Sequence, residues 1–265
     1  MPQLFADCLN EVIEYLNDDK YSLHSFEDLI NYTHIIVQEI CKMYMNQTSL
    51  KVLEYVQYSD SITYDIYPSP KGFLKNLTKL TFSSNISPEL LINLTQTCHN
   101  LFLLDVIIIY HIPKELVDLI TIQKNLKCFS MMIHDGLKDE IDSIPLLTME
   151  LPKTLTRFVV VGENYNISLS FLEALETVLK YSKNIYEIIL QYQFDLKFEL
   201  LPSELESFFI DWKKRLPQKP LSFVIIDSEF CKNSLDKNVE NMKIIETYTK
   251  LGVVKNLIIR KLWNY

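Results

Sequence analysis

The feature that most constrains the fold is a spacing of apolar residues, L-x-x-L-x-L, that recurs along most of the chain. It is clearest in residues 100–109 (NLFLLDVIII), where Leu101, Leu104 and Val106 occupy the three positions. Side chains alternate along an extended chain, so the second and third apolar residues of a strand point to one side and the residues between them to the other. The spacing therefore predicts a strand that buries one face.

The same spacing occurs seven times after residue 76, at intervals of 24 to 36 residues. The seven segments begin at Leu77, Leu101, Leu126, Leu155, Ile185, Leu221 and Leu257. Amphipathic segments that predict helices lie between them, beginning near Pro88, Pro113, Ser170, Ser203 and Val239. A strand and its return helix cannot bury an apolar face alone, but stacked copies share one core. We therefore expect an α/β solenoid with parallel strands on one face and helices on the other.

This pattern resembles the leucine-rich-repeat solenoid, although the usual Asn or Cys after the third apolar position is missing. A doubly wound α/β sheet is the competing fold, since strands and helices alternate there too. That fold would not require the same apolar spacing in every strand. The resemblance implies an irregular leucine-rich-repeat domain over residues 76–265.

The outward side chains of these strands are the candidate binding residues. We count alternation from the second apolar residue of each segment, which places the intervening residues on the concave face of the solenoid. The predicted target-binding residues are Leu103, Asp105, Arg157, Val159, Glu187, Ile189, Phe223 and Ile225. Apolar side chains exposed together would indicate a protein-binding patch, whereas the alternative is that loops or the C-terminal tail cover them.

The N-terminal segment has a different periodicity. Leu9, Val12, Ile13 and Leu16 lie at offsets 0, 3, 4 and 7, which places them on one stripe of a helix. Further helical patterns follow from Ser25 onward. We therefore predict a small helical unit over residues 1–57 and a proline-containing connector over residues 58–75.

Residues 3–16 (QLFADCLNEVIEYL) resemble the opening of an F-box, whose pattern L-P-x-[DE]-h-L continues to an Ile and a Tyr-Leu. Phe5 stands at the family's proline, and the usual Trp of the second half is missing. The resemblance implies binding to a Skp-type adaptor, and through it to the cullin scaffold of a ubiquitin ligase. The residues it assigns to adaptor binding are Leu4, Phe5, Cys8, Leu9, Val12, Ile13 and Leu16. The alternatives are that the stripe only caps the hydrophobic end of the repeats, and that the protein is a repeat scaffold without ligase association.

The chain lacks the common signatures of catalysis. Its four glycines form no G-x-G-x-x-G, Walker or G-x-S-x-G motif, and its five histidines and five cysteines show no zinc-ligand spacing. The densest polar group, residues 134–142, lies in the least patterned link and is interpreted as a solvated loop. We therefore expect a protein that is not an enzyme and has neither a cofactor nor a metal.

Charge and composition indicate the cellular compartment of the protein and the class of its partners. The formal charge of −8 and the pI near 5.2 argue against a surface for nucleic acid. Five scattered cysteines without a C-x-x-C suit reduced thiols in the cytoplasm or the nucleus. No segment approaches the roughly 20 apolar residues of a membrane span. We expect protein partners and no association with a membrane.

Overall fold

The computed structural model describes residues 50–56, 73–86, 88–109, 111–133, 151–162, 175–176, 178–180, 182–192, 200–215, 219–228, 231–232 and 234–261. The predicted N-terminal helices, the residues assigned to adaptor binding, most of the predicted connector and the polar link at residues 134–142 lie outside these ranges.

The strands form one eight-stranded sheet in which every neighbouring pair is parallel. They are β1 (Val52–Tyr55), β2 (Lys79–Ser83), β3 (Leu103–Ile108), β4 (Cys128–Ile133), β5 (Arg157–Gly162), β6 (Glu187–Tyr192), β7 (Leu221–Asp227) and β8 (Val254–Lys261). The order across the sheet follows the order along the chain. A doubly wound sheet would reverse its order at a switch point, so the observed order agrees with the predicted α/β solenoid.

Four helices begin at or next to a predicted start, and the start predicted near Ser170 lies outside the described residues. They are α1 (Pro88–Thr97), α2 (Lys114–Thr121), α3 (Pro202–Lys214) and α4 (Val239–Lys250), with 3₁₀ turns at Phe73–Asn76 and Leu235–Lys237. A proline precedes or opens each of the first three, a position at which its missing N–H costs nothing. In α4, the side chain of Asn238 caps the helix by accepting the backbone N–H groups of Glu240 and Asn241.

The core lies between the helices and one face of the sheet. Side chains at the same register on neighbouring strands form a row across it, and all of them are fully buried from β2 to β7. The row is Leu80, Leu104, Phe129, Phe158, Ile188 and Phe223. Helix side chains close over it: the ring of Phe209 lies edge-on to Phe223 at 6.0 Å and 5.1 Å from the ring of Tyr248. The core is therefore continuous from one repeat to the next.

The sheet begins earlier than the sequence pattern predicts. The expected boundary of the helical unit at residue 57 is wrong, because Val52–Tyr55 is strand β1, paired in parallel with β2. Leu53 pairs with Leu80 and packs against the core, as does Leu50. Residues 50–55 (LKVLEY) carry the repeat spacing. The strand has only four residues and lies at the edge of the sheet, so the pattern is too short to stand out in the sequence.

The predicted register of β7 is also wrong. Phe223 and Ile225, expected on the outward face, are fully buried in the core. The side chains that point outward from β7 are those of Ser222, Val224 and Ile226. In earlier repeats the first apolar residue precedes the strand, whereas Leu221 lies within β7, beside a register irregularity. Counting alternation from the wrong residue exchanges the two faces.

A buried ionic cluster attaches the last strand. Asp227, at the end of β7, is fully buried, and its Oδ2 lies 2.6 Å from the Nζ of Lys237 and 2.7 Å from the Nζ of Lys261. The hydrogen bond to Asp227 raises the pKa of Lys237 above its usual range, which keeps this lysine charged. A carboxylate removed from water needs such partners, so the cluster holds β7, the second 3₁₀ turn and β8 together.

We predict that removing the two lysines of this cluster destabilises the protein more than removing the charge of the buried carboxylate. Lys237→Met/Lys261→Met should lower the free energy of unfolding by about 3–5 kcal/mol, because the carboxyl group of Asp227 would stay buried without either of its charged partners. Asp227→Asn should lower it by only about 1–2 kcal/mol, because the two lysines are partly exposed and an amide oxygen can still accept. Urea unfolding at pH 7 measures both, and equal losses would contradict the asymmetry.

Candidate functional site on the open face of the sheet

The face of the sheet opposite the core is covered by none of the described helices, and we call it the open face. Three rows of side chains cross it at successive registers. The first row is Val52, Lys79, Leu103, Cys128, Arg157, Glu187, Ser222 and Asn256. The second row is Glu54, Thr81, Asp105, Ser130, Val159, Ile189, Val224 and Ile258. The third row is Ser83, Ile107, Met132, Val161, Gln191, Ile226 and Arg260.

Six of the eight predicted target-binding residues lie together on this face: Leu103, Asp105, Arg157, Val159, Glu187 and Ile189. All six are half-buried or exposed. The other two, Phe223 and Ile225, belong to the core. The structure therefore keeps the predicted face across β3 to β6 and changes its composition at β7.

The part of the open face on β1 to β4, continuing onto the first row of β5 and β6, mixes apolar residues with charged residues that are paired to one another. Lys79 Nζ lies 2.5 Å from Glu54 Oε1, and Arg157 forms an ion pair with Glu187 on the next strand. Pairs directly opposite or diagonal on neighbouring strands stabilise a sheet modestly, by about 0.2–1 kcal/mol each. These charges are therefore already paired within the sheet before any partner arrives.

Asp105 lies inside this part of the open face, between Lys79 and Ser130. Burial raises the pKa of its carboxyl group, and the hydrogen bond with Ser130 and the charge of Lys79 only partly oppose this effect. The folded protein thus favours the neutral form of Asp105 more than the unfolded chain does. A partner that supplies a donor to this carboxylate would relieve that cost.

Cys128, the cysteine on this face, is not an activated nucleophile. Burial raises the pKa of its thiol to about 11, although the neighbouring Arg157 favours the thiolate. A group with this pKa is protonated at neutral pH and reacts slowly. The side chain therefore serves packing on the open face.

The second row on β5 to β8 is aliphatic, whereas the third row on these strands alternates aliphatic residues with Gln191 and Arg260. We call the aliphatic residues of both rows the apolar strip. In the second row, Val159, Ile189, Val224 and Ile258 are direct register neighbours on four consecutive strands. In the third row, the strip continues with Val161, which is buried, and Ile226, which is half-buried. Val224 is buried, and Val159, Ile189 and Ile258 are half-buried. A half-exposed aliphatic strip beside paired charges has the composition of a protein-binding surface, with an apolar centre and a polar rim.

Sequence reasoning missed four members of the apolar strip: Val161, Val224, Ile226 and Ile258. The signal was present, because alternation counted from Phe223 as a core residue places Val224 and Ile226 outward. What was missing was the pairing of β7 with β6, which sets Ile189 opposite Val224. The run of apolar residues from 221 to 226 contains no polar residue except Ser222, so its own pattern fits either register.

Other features of the described residues do not form a chemical site. A half-open cavity of about 330 Å³ lies beside the N-terminus of α4, but the polar groups that line it support the local fold. Lys237 binds Asp227, Asn238 caps α4, and Asn241 donates to the carbonyl of Leu200 at 2.8 Å. No group of three His, Cys, Asp or Glu side chains in the described part of the chain is arranged to hold a metal ion. The described helices are all too short or too polar to cross a membrane.

Comparison of the chain with protein-family models gives no match, and a search of curated proteins gives no significant match. Functional inference therefore rests on the sequence pattern and on the geometry of the open face.

We predict that Asp105→Asn raises the free energy of unfolding at pH 7. The folded pKa of Asp105 lies above the unfolded value of about 3.9, so the wild-type protein gains stability as the pH falls through the folded pKa toward that value. The amide resembles the neutral acid at every pH, so the advantage of the variant should shrink at acidic pH. Urea unfolding of both proteins across this range measures the difference.

The exposed Asp118 on α2 offers a control, since Asp118→Asn should change stability little at either pH. Two results would contradict burial as the dominant influence on the pKa of Asp105. One is a lower stability of Asp105→Asn than of the wild type at pH 7, and the other is a stability advantage of the variant that grows on acidification.

Proposed function

We propose that this chain is the substrate-recruiting subunit of an SCF-type cullin-RING ubiquitin ligase, with an F-box at its N-terminus and an irregular leucine-rich-repeat solenoid behind it. The N-terminal residues bind the Skp-type adaptor, and the open face binds a target protein. The observation that carries the target-binding half is the apolar strip next to paired charges on a face that no described helix covers. The adaptor half is supported by the resemblance of residues 3–16 to an F-box.

The open face suits a folded protein surface as partner. The apolar strip supplies area that gains free energy when it is removed from water, about 25 cal/mol per Å². Arg157 and Glu187, paired beside it, and Asp105 further along the sheet supply polar positions that fix orientation and reject wrong partners. Affinity would then depend on Val159, Ile189 and Ile258, and specificity on the charged residues.

Adaptor binding would use the stripe Leu9, Val12, Ile13 and Leu16. An amphipathic helix places residues at i, i+3, i+4 and i+7 into a hydrophobic groove of its partner. Ubiquitin transfer belongs to the partner subunits, so this chain needs no catalytic residues or cofactor of its own. The proposed place of action is the cytoplasm or the nucleus.

A second candidate function is a leucine-rich-repeat scaffold that uses the same open face without any adaptor. Phe5 in place of the family's proline and the missing Trp of the second half favour it. The two functions make the same prediction for the open face and opposite predictions for the N-terminal stripe.

We predict that the intact chain binds a purified Skp-type adaptor in a pull-down and that Leu9→Glu/Ile13→Glu abolishes the binding. Charges buried in an apolar groove lose their hydration without compensation, which removes most of the affinity. Asn10→Glu/Asn17→Glu adds the same two charges away from the stripe and should bind as the wild type does. Failure of the intact chain to bind, or equal binding by all three proteins, would favour the scaffold.

We predict that Val159→Asp/Ile189→Asp loses target proteins while it keeps the adaptor. The matched control is Ile92→Asp/Ile210→Asp, which changes two exposed isoleucines on helices α1 and α3. Quantitative mass spectrometry of proteins that co-purify with each variant measures the outcome. Proteins lost from the first variant and retained by the second are targets of the open face. Identical sets from both variants would show that the apolar strip does not recruit targets.

A further inference from the structure

The turns that lead into β2 to β6 carry a repeated basic position. The residue four positions before the first open-face residue of each strand is a lysine or a histidine, and all five side chains are exposed. These residues, which we call the turn row, are Lys75, His99, Lys124, Lys153 and Lys183. Because the five strands share one register, the turn row runs along the N-terminal edge of the sheet, with neighbours separated by about 4.8 Å at the backbone.

Hydrogen bonds between turns hold this alignment. Asn125 Nδ2 donates to Asn100 Oδ1 at 3.2 Å, and Asn184 Nδ2 donates to the carbonyl oxygen of Lys153 at 2.5 Å. Thr154 Oγ1 donates to the carbonyl oxygen of Leu126 at 2.8 Å. The basic side chains therefore project from stacked, mutually bonded turns and not from independent loops.

The surroundings of the turn row add cations and exposed aromatic rings. Lys127 lies at the start of β4, and Phe102 and Tyr186 are 55% and 44% exposed at equivalent positions before β3 and β6. The Nζ of Lys219 lies 5.9 Å from the ring centroid of Tyr186.

The described turns that carry the turn row contain no acidic residue. Residues 73–78, 98–102, 122–127, 151–156 and 182–186 contain no Asp or Glu. The four lysines of the turn row form no ion pair with any described residue. Their charges are therefore not balanced within the described part of the chain.

We propose that the turn row binds an extended acidic segment of another protein, rich in Asp and Glu. From Lys75 to Lys183 the row spans about 19 Å, the length of about six extended residues. It is one side chain wide, which fits a single strand of carboxylates. This surface is at the edge of the sheet and is distinct from the open face, so it goes beyond the target site proposed above.

Two other roles for the turn-row lysines are stabilisation of helix ends and nucleic-acid binding, and each explains their arrangement less well than binding of an acidic peptide does. A lysine after a helix offsets the negative end of the helix dipole, but Lys75 lies in a 3₁₀ turn of four residues and shares the same register. A nucleic acid also carries regular negative charge, and Phe102 and Tyr186 offer stacking surfaces. The turn row is, however, only about 19 Å long and one side chain wide, so it accommodates one short strand of carboxylates, and a longer polyanion would extend beyond its five cations.

The test uses the full chain and a fluorescein-labelled twelve-residue peptide of alternating Asp and Glu, measured by fluorescence anisotropy in 150 mM salt. The peptide should bind, and the same peptide with Asn and Gln should not. Lys124→Gln/Lys153→Gln should weaken binding about five- to tenfold through the loss of two charge contacts. Lys124→Arg/Lys153→Arg should retain it, which separates loss of charge from loss of fold.

Lys114→Gln/Lys243→Gln is the matched control, because it removes two exposed lysines from α2 and α4 and changes the net charge equally. Its affinity should stay within about twofold of the wild type, as expected for unrelated surface charges. Absence of peptide binding, or equal weakening by both Gln pairs, would overturn the proposal. It would also be overturned if twelve-residue oligothymidylate bound more tightly than the peptide and lost affinity in the Lys124→Gln/Lys153→Gln variant.

Discussion

The structure depends on the shared burial of one face of a parallel sheet. No single strand and helix can bury the apolar side chains of this chain, so each repeat relies on the next. Leu104 and Phe158, for example, are fully buried because rows of side chains on neighbouring strands and the helices above them close the same space. The arrangement requires a fixed register, since a strand shifted by one residue would turn its apolar set toward solvent.

The same register fixes the functional surface. Since alternate side chains cannot be rotated independently of the core residues between them, the position of Phe158 and Val160 determines where Val159 points. The register that builds the core therefore also fixes the direction in which each open-face side chain points. The strand register alone therefore holds the aliphatic strip across four strands and the paired charges beside it. Strand β8 also has an ionic anchor: Ile259 is 44% exposed on the last strand, and Lys261 is bonded to the buried Asp227.

Prediction from the sequence succeeds for features set by a local pattern of residues. It fails where the pairing of strands determines which side chains face the core. The strand spacing and the proline or serine that opens a helix are local, so α1, α2 and α3 and the core faces of β2 to β6 follow from the sequence. Strand β1 has the spacing at Leu50 and Leu53, but it is too short to stand out from a segment interpreted as helical. In β7, apolar residues occupy both faces, and only the pairing with β6 shows that Phe223 is inside and Val224 outside. The ion pair of Glu54 with Lys79 could not be predicted without β1.

The total charge of the chain is a poor guide to its binding partners, because position in space matters more than the sum of charges. Electrostatic interactions are screened beyond about 8 Å at physiological ionic strength, so a partner senses the charges near its own contact and not the sum over the chain. In a repeat protein, residues about 24 to 30 positions apart in sequence become neighbours about 4.8 Å apart in space, so one basic residue per repeat becomes a continuous row. Lys124 and Lys153 are distant in the sequence and become adjacent cations on the sheet edge. The charge of such a chain is therefore best evaluated by position within the repeat, because that position determines which side chains a partner meets together.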